Sequence, residues 1–244
     1  MRRCVRVVEW IEAMTLVIML ACAQSAFAQP ASPPLPPPRP DRPVPVETPS
    51  DKPAEAKPEQ KDVKADAEAA ACIERLTTLG LRFEKRSPVL DNACKVDNPV
   101  LVSGLPNDVQ LSTGSLMECS LAEELVRWSN DVLLPKAKVH LQAQPKKILI
   151  GTSYQCRDQR SGTKLSEHAF GNALDVMGIE FDKRAPVTIK AYDEGSPEAD
   201  FQSAIRKEAC PIFTTVLGPG SDADHSDHLH LDMRGRKAGY RICQ

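Results

Sequence analysis

Four of the five histidines fall in two short segments, Ser166-Glu167-His168-Ala169-Phe170-Gly171-Asn172-Ala173-Leu174-Asp175 and His225-Ser226-Asp227-His228-Leu229-His230-Leu231-Asp232. Read as a strand, the second segment puts His228 and His230 on one face, about 6.6–6.8 Å apart, and turns Leu229 and Leu231 toward a core. Two imidazoles beside a polar loop suit zinc, which favours neutral imidazole nitrogen. An H-x-H pair alone equally describes two exposed or hydrogen-bonded histidines. In the first segment His168 and Asp175 are seven residues apart, with Gly171 and Asn172 between them able to turn the chain. Ala173, Leu174 and Val176 then form a strand that carries Asp175. A carboxylate set among apolar residues is costly unless a cation meets it, and that cation is either a metal or an Arg or Lys partner. Two imidazoles and one carboxylate leave the fourth tetrahedral position to water, the arrangement of a catalytic zinc. His140 stands apart and reads as a surface or helix-end residue.

Several elements must position these residues. Leu121, Leu125, Trp128 and Val132 recur at helical spacing behind a Ser120–Glu123 capping box, which predicts a helix over 121–133 closed by Pro135. Residues 147–154 form a short apolar run and read as a buried strand. Phe201, Ile205 and Ala209 predict a helix over 198–210. Residues 212–217 and 228–233 read as strands flanking the loop GPGSDADHSD. Helix and strand alternate without βαβ regularity, which predicts an α+β fold with helices packed on a mainly antiparallel sheet.

Composition narrows the setting. The chain has 244 residues, 31 Lys+Arg against 33 Asp+Glu, and a formal charge of −2. No basic surface is on offer, so nucleic acid is not an expected partner. Arg2, Arg3 and Arg6, the apolar stretch Ala13–Ala23 and Ala26-Phe27-Ala28 together read as an export signal. The apolar stretch is too short for a permanent membrane span, which takes about 20 residues. Cleavage after Ala28 is the main expectation; lipidation at Cys22 and an uncleaved anchor are the alternatives. Twelve of the 21 prolines lie in residues 29–58, which predicts extended polyproline II rather than a core. Residues 59–70 are charged and Ala-rich and suit a helix leading into Cys72. The chain divides accordingly into a signal peptide over 1–28, a Pro-rich and charged disordered linker over 29–69, and a globular domain over 70–244. Of the 8 cysteines, six lie in that domain, an even count that reads as a disulfide framework in a periplasmic or secreted chain. Proximity suggests the pairs Cys72–Cys94, Cys119–Cys156 and Cys210–Cys243.

The motif S-E-H-x-x-G-x-A-x-D followed by H-x-x-H-x-H resembles the LAS group of zinc peptidases, which includes D-alanyl-D-alanine carboxypeptidases, the penicillin-insensitive murein endopeptidase and the hedgehog domain. The region from about Cys72 to Gln244 resembles more specifically the bacterial extensin-like C-terminal domain family. The resemblance implies a disulfide-stapled LAS/hedgehog-like core with His168, Asp175 and His230 as ligands of Zn2+. It also implies His228 as the base or transition-state hydrogen-bonder, supported by His225. Asp227 is the other choice for the base, although on a strand it would face away from His228 and His230. The group places an arginine before the first motif; Arg157 holds that place, with Arg160 as the alternative. The implied activity is an exported zinc peptidase that uses zinc-activated water to hydrolyse peptide bonds in peptidoglycan stem peptides or cross-links.

The sequence has no G-x-S-x-G elbow for a serine hydrolase, and bridged cysteines supply no nucleophile. The competing reading is a non-catalytic cell-wall-binding or scaffold protein tethered by the Pro-rich stretch. In it a side chain such as His228 or Asp232 would fill the fourth metal position.

Overall fold

The computed structural model describes residues 59–160 and 162–244, with the side chains of 59–63 left aside. The signal peptide, Cys22 and the Pro-rich stretch over 29–58 lie outside the described residues. Helix α1 (Glu59–Thr78) realises the helix expected over 59–70. It buries Cys72 and Leu76 and is tied to the next helix by a Cys72–Cys119 disulfide. Among the described residues no helix is long and apolar enough to cross a membrane.

The chain then builds strands β1 (Arg82–Lys85), β2 (Val89–Asp91), β3 (Cys94–Val96), β4 (Pro99–Gly104) and β5 (Gln110–Glu118). Helix α2 (Cys119–Trp128) follows. Its start differs from the expected capping box. Ser120 lies inside the helix, Glu118 occupies the cap position, and the Cys119 amide donates to Asn98 O at 3.0 Å. The helix thus begins before Ser120, and a backbone carbonyl satisfies the first of its free amides.

Pro135 does not end the helical run. After α2 the backbone widens into a π-turn over Ser129–Leu133, with the Leu134 amide bonded to Ser129 O five residues back. The wider turn accommodates Pro135, which lacks a donor and would otherwise crowd the carbonyl four residues earlier. The helix continues through α3 (Leu134–Lys136) and a second π-turn to Leu141.

Strands β6 (Pro145–Ile150), β7 (Ala173–Phe181) and β8 (Val187–Thr188) come next, followed by α4 (Pro197–Ala209), β9 (Thr215–Leu217), β10 (Leu229–Asp232) and β11 (Ile242–Cys243). The main sheet runs β1-β4-β5-β6-β7-β10-β9-β11, with β8 paired to β7; β2 and β3 form a separate hairpin. The fold is α+β as expected, but the sheet is mixed rather than mainly antiparallel, because β5–β6 and β9–β11 are parallel pairs. The helical run between β5 and β6 carries the chain back before it re-enters the sheet, which permits the parallel pair.

Helix α2 packs on β4 and β5, while α4 packs on the π-turns and β9. The buried Trp128 indole donates to Ile205 O at 3.2 Å and joins α2 to α4. Leu174 and Val176 of β7 and Leu229 and Leu231 of β10 enter this same core. Strand alternation therefore turns Asp175 and His230 to the opposite face.

Two of the three disulfides differ from those expected from proximity. Cys72 pairs with Cys119, Cys94 with Cys156, and Cys210 with Cys243 as expected. Helix packing brings Cys72 to the start of α2, and the β2–β3 hairpin brings Cys94 to the loop after β6.

Candidate metal centre

The first motif folds as a tight turn entering a strand. Ser166 caps a 3₁₀ turn over Glu167–Phe170, its hydroxyl accepting from the His168 amide at 3.4 Å. Gly171 ends the turn at φ +60°, and a Cβ there would stand 3.0 Å from both the Glu118 amide and Val96 Cγ1. Its carbonyl accepts from that Glu118 amide at 2.8 Å, so the turn is fastened to the start of α2. Only glycine reconciles this conformation with this proximity.

The loop after β6 clasps both His168 and Asp175. The Gly151 amide donates to Asp175 O at 2.9 Å, and the Asp175 amide donates to Thr152 O at 2.8 Å. The Gln155 amide donates to His168 O at 3.1 Å, and His168 Nδ1 lies 2.6 Å from Ser153 O. The Cys94–Cys156 disulfide anchors the segment.

The second motif meets the first through strand pairing. In the antiparallel β7–β10 register, His230 stands directly opposite Asp175. Their side chains therefore share a face, and His230 Nδ1 lies 2.9 Å from Asp175 Oδ1. Asp232, two residues on, shares that face and places Oδ2 3.1 Å from His230 Nε2.

The ring nitrogens can be assigned one by one. A carbonyl oxygen only accepts, so His168 Nδ1 carries the proton donated to Ser153 O and Nε2 is left with a lone pair. That Nε2 is buried without a hydrogen-bond partner, although Asp175 Oδ1 is 3.2 Å away. One donor atom from each of His168, Asp175 and His230 lies within 4.8 Å of the other two. Electron-rich atoms converge here on a point that needs positive charge, and the donor set of two imidazoles and a carboxylate fits zinc. Asp232 on the outer nitrogen of His230 supplies the carboxylate support usual behind a metal-binding histidine.

Without a metal, protons on the imidazoles take the place of the cation. Burial would raise the Asp175 carboxyl, but His168 and His230 beside it hold it far below the usual carboxylate range. Burial would lower His230, yet Asp175 and Asp232 on its two nitrogens outweigh that and raise it to about 9. A site without metal thus draws in a proton where a cation would sit.

The other sequence-predicted residues surround this centre. His228 immediately precedes β10 and is buried, with Nε2 3.6 Å from Asp175 Oδ1. Its Nδ1 lies 2.9 Å from Asp227 Oδ1. Asp227 was expected to face away on the strand; β10 begins only at Leu229, so that alternation does not reach it. Its side chain is 71% exposed and stands behind His228. His225 ends a 3₁₀ turn over Ala223–His225, its Nδ1 2.7 Å from Asp222 Oδ1 and its ring centroid 5.1 Å from that of His228. Arg157 and Arg160 both line the cleft. Arg157 donates to Gln155 Oε1 at 2.9 Å and to Asp158 O at 3.2 Å, while Arg160 pairs with Asp224 at 3.4 Å.

These groups line a cleft of about 290 Å³, with Leu217 and Ile242 as apolar wall and Arg234 and Arg236 as further cationic lining. Sequence reasoning gave Asp232 only as a rival fourth ligand and missed Asp222 and Ser153. The H-x-D alternation on β10 was a usable signal for Asp232. Ser153 acts through its backbone carbonyl and left no side-chain signal.

A family model described as the extensin-like protein C-terminus matches residues 70–244. The chain belongs to this extensin-like family. The match begins inside α1 and takes in both histidine segments, all six disulfide cysteines and the whole cleft lining of the extensin-like domain. No curated protein and no solved structure matches the chain.

Proposed function

We propose that the extensin-like domain is a zinc peptidase that acts, after export to the periplasm or beyond, on peptide bonds of peptidoglycan stem peptides or cross-links. The observation that carries this reading is the convergence of His168 Nε2, Asp175 Oδ1 and His230 Nδ1 at the floor of an open polar cleft, with His168 Nε2 buried and unpartnered. The two histidine motifs resemble those of the LAS peptidases, and the substrate class follows from that resemblance and from the export signal.

His168, Asp175 and His230 would hold the metal, which when bound supplies Lewis acidity and makes water a better nucleophile near neutral pH. Asp227 fixes the Nδ1 side of His228 and leaves Nε2 toward the centre. From there His228 takes the proton of the attacking water and returns it to the departing amine. His225, held by Asp222, stands beside His228 and supports its orientation. Arg157 on the cleft wall has a guanidinium suited to a substrate carboxylate or to the developing oxyanion.

The alternative is a non-catalytic wall-binding protein whose metal is closed off by His228, and the 3.6 Å approach of His228 Nε2 to Asp175 Oδ1 favours it. Elemental mass spectrometry on the oxidised protein and on Asp175→Ala, followed by digestion of defined muropeptides, tests the proposal. One zinc per chain that is lost in the variant, with cleavage by the wild type, is the expected result. A folded wild type that takes up no zinc would overturn it.

A further inference from the structure

Beside His230 a line of polar side chains runs along the lining of the cleft. His230 Nε2 lies 3.1 Å from Asp232 Oδ2. The other oxygen of Asp232 accepts from Thr215 Oγ1 at 2.5 Å and from the Arg234 amide at 3.0 Å. Thr215 Oγ1 in turn receives a hydrogen bond from Arg236 Nη2 at 2.7 Å, and Arg236 Nη1 donates to Thr214 O at 3.0 Å. Thr215 is buried, on the strand paired with β10, and register sets it directly opposite Asp232.

We infer that Arg236, through Thr215 and Asp232, is a positioning residue that selects which nitrogen of His230 faces the metal. The inference rests on the metal reading above. Its logic is directional. A guanidinium has donors and no acceptor, so the Thr215 hydroxyl must accept from Arg236. The one hydroxyl proton is then committed to Asp232, which accepts at Oδ1 and keeps Oδ2 as an acceptor for His230. Nε2 of His230 therefore carries a proton, and the Nδ1 lone pair is turned toward Asp175 and His168. Were Asp232 to swing away from Nε2, no acceptor in this line would hold the proton there. Arg236 also brings a positive charge near the buried Asp232 carboxylate, which discourages that group from leaving His230 to bind the metal itself.

The test measures zinc affinity by competition with a chromophoric chelator, for wild type, Thr215→Val, Thr215→Ser, Arg236→Met and the Thr215→Val/Arg236→Met double variant. Urea unfolding of each metal-free protein reports separately on folding. Thr215→Val and Arg236→Met are expected to weaken zinc binding about 10–100-fold, the range for lost support behind a ligand. Thr215→Ser keeps the hydroxyl and should bind like wild type. The double variant should be no weaker than Thr215→Val alone, because both act through one chain of bonds.

Should Thr215→Val not fold, Arg236→Met and the wild type still decide the matter. Nitrogen-15 spectra of the zinc-loaded wild type should show His230 protonated at Nε2. Protonation at Nδ1 instead, wild-type affinity in Thr215→Val or Arg236→Met, or loss of affinity in Thr215→Ser overturns the relay while leaving the metal centre in place. A wild type that binds no zinc overturns both.

Discussion

His230 lies between two buried carboxylates, and its raised pKa of about 9 makes the metal-free protein sensitive to pH. A group raised on folding contributes its full stability below its unfolded value near 6.5 and loses it as pH climbs through about 9. The fall should amount to about 3 kcal/mol, as one pKa unit corresponds to about 1.4 kcal/mol. Urea unfolding in chelator at pH 6.5 and 9.5 measures it, and His230→Asn should remove the difference. A flat wild-type profile would show that His230 is not the proton acceptor described. His228 has a different role, because it touches the centre only through the 3.6 Å approach to Asp175. His228→Ala should keep its zinc and lose at least about 100-fold in muropeptide hydrolysis, the usual worth of a general base. A His228→Ala protein that lost its zinc would favour the closed, non-catalytic site.

Among the elements, the turn at Gly171 and the clasp over residues 151–155 decide whether the ligands meet. Gly171→Ala forces a side chain into a left-handed conformation 3.0 Å from the Glu118 amide and Val96. It should cost about 1–3 kcal/mol in denaturant unfolding, and weaken zinc binding because the same turn carries His168. Cys94→Ser with Cys156→Ser should release the clasp: zinc affinity falls, while a Cys210→Ser/Cys243→Ser pair, which joins α4 to β11 and leaves the 151–155 loop anchored, should alter affinity less. The reverse order in a zinc-competition assay would remove the clasp from the account of the site. At this scale the sequence was legible where chemistry is local. Phe201, Ile205 and Ala209 placed a helix that appears as Pro197–Ala209. The Ser120 capping box misled because the helix starts earlier, at Cys119, where a distant carbonyl, Asn98 O, receives the first free amide. Pro135 misled because the preceding π-turn absorbs it.

For the molecule as a whole, three disulfides span separations of 47, 62 and 33 residues and tie α1 to α2, the β2–β3 hairpin to the loop after β6, and the last strand to the end of α4. A closed loop of such length is worth about 3–4 kcal/mol in the chain-entropy treatment. Reduction should therefore lower the thermal midpoint sharply and release zinc; a reduced domain that melts like the oxidised one would contradict the stapled fold. That the two histidine segments converge was legible in residue type and spacing, and the resemblance to the LAS peptidases picked out His168, Asp175 and His230 from them. What stayed hidden was long-range partnership. No local rule shows that Cys72 meets Cys119 through helix packing, or that Thr215 faces Asp232 across strands.

The pairing of His230 with Asp175 across β7 and β10 has one more consequence. A slip of one residue between those strands would send one of the two ligands into the core and bring an aliphatic neighbour to the cleft. Only the correctly registered sheet can assemble the three donor atoms, so misregistered molecules would be blind to zinc. On the proposed zinc reading, the zinc-to-protein ratio of a preparation would be a census of its folding, counting the molecules whose central strands paired in the native frame.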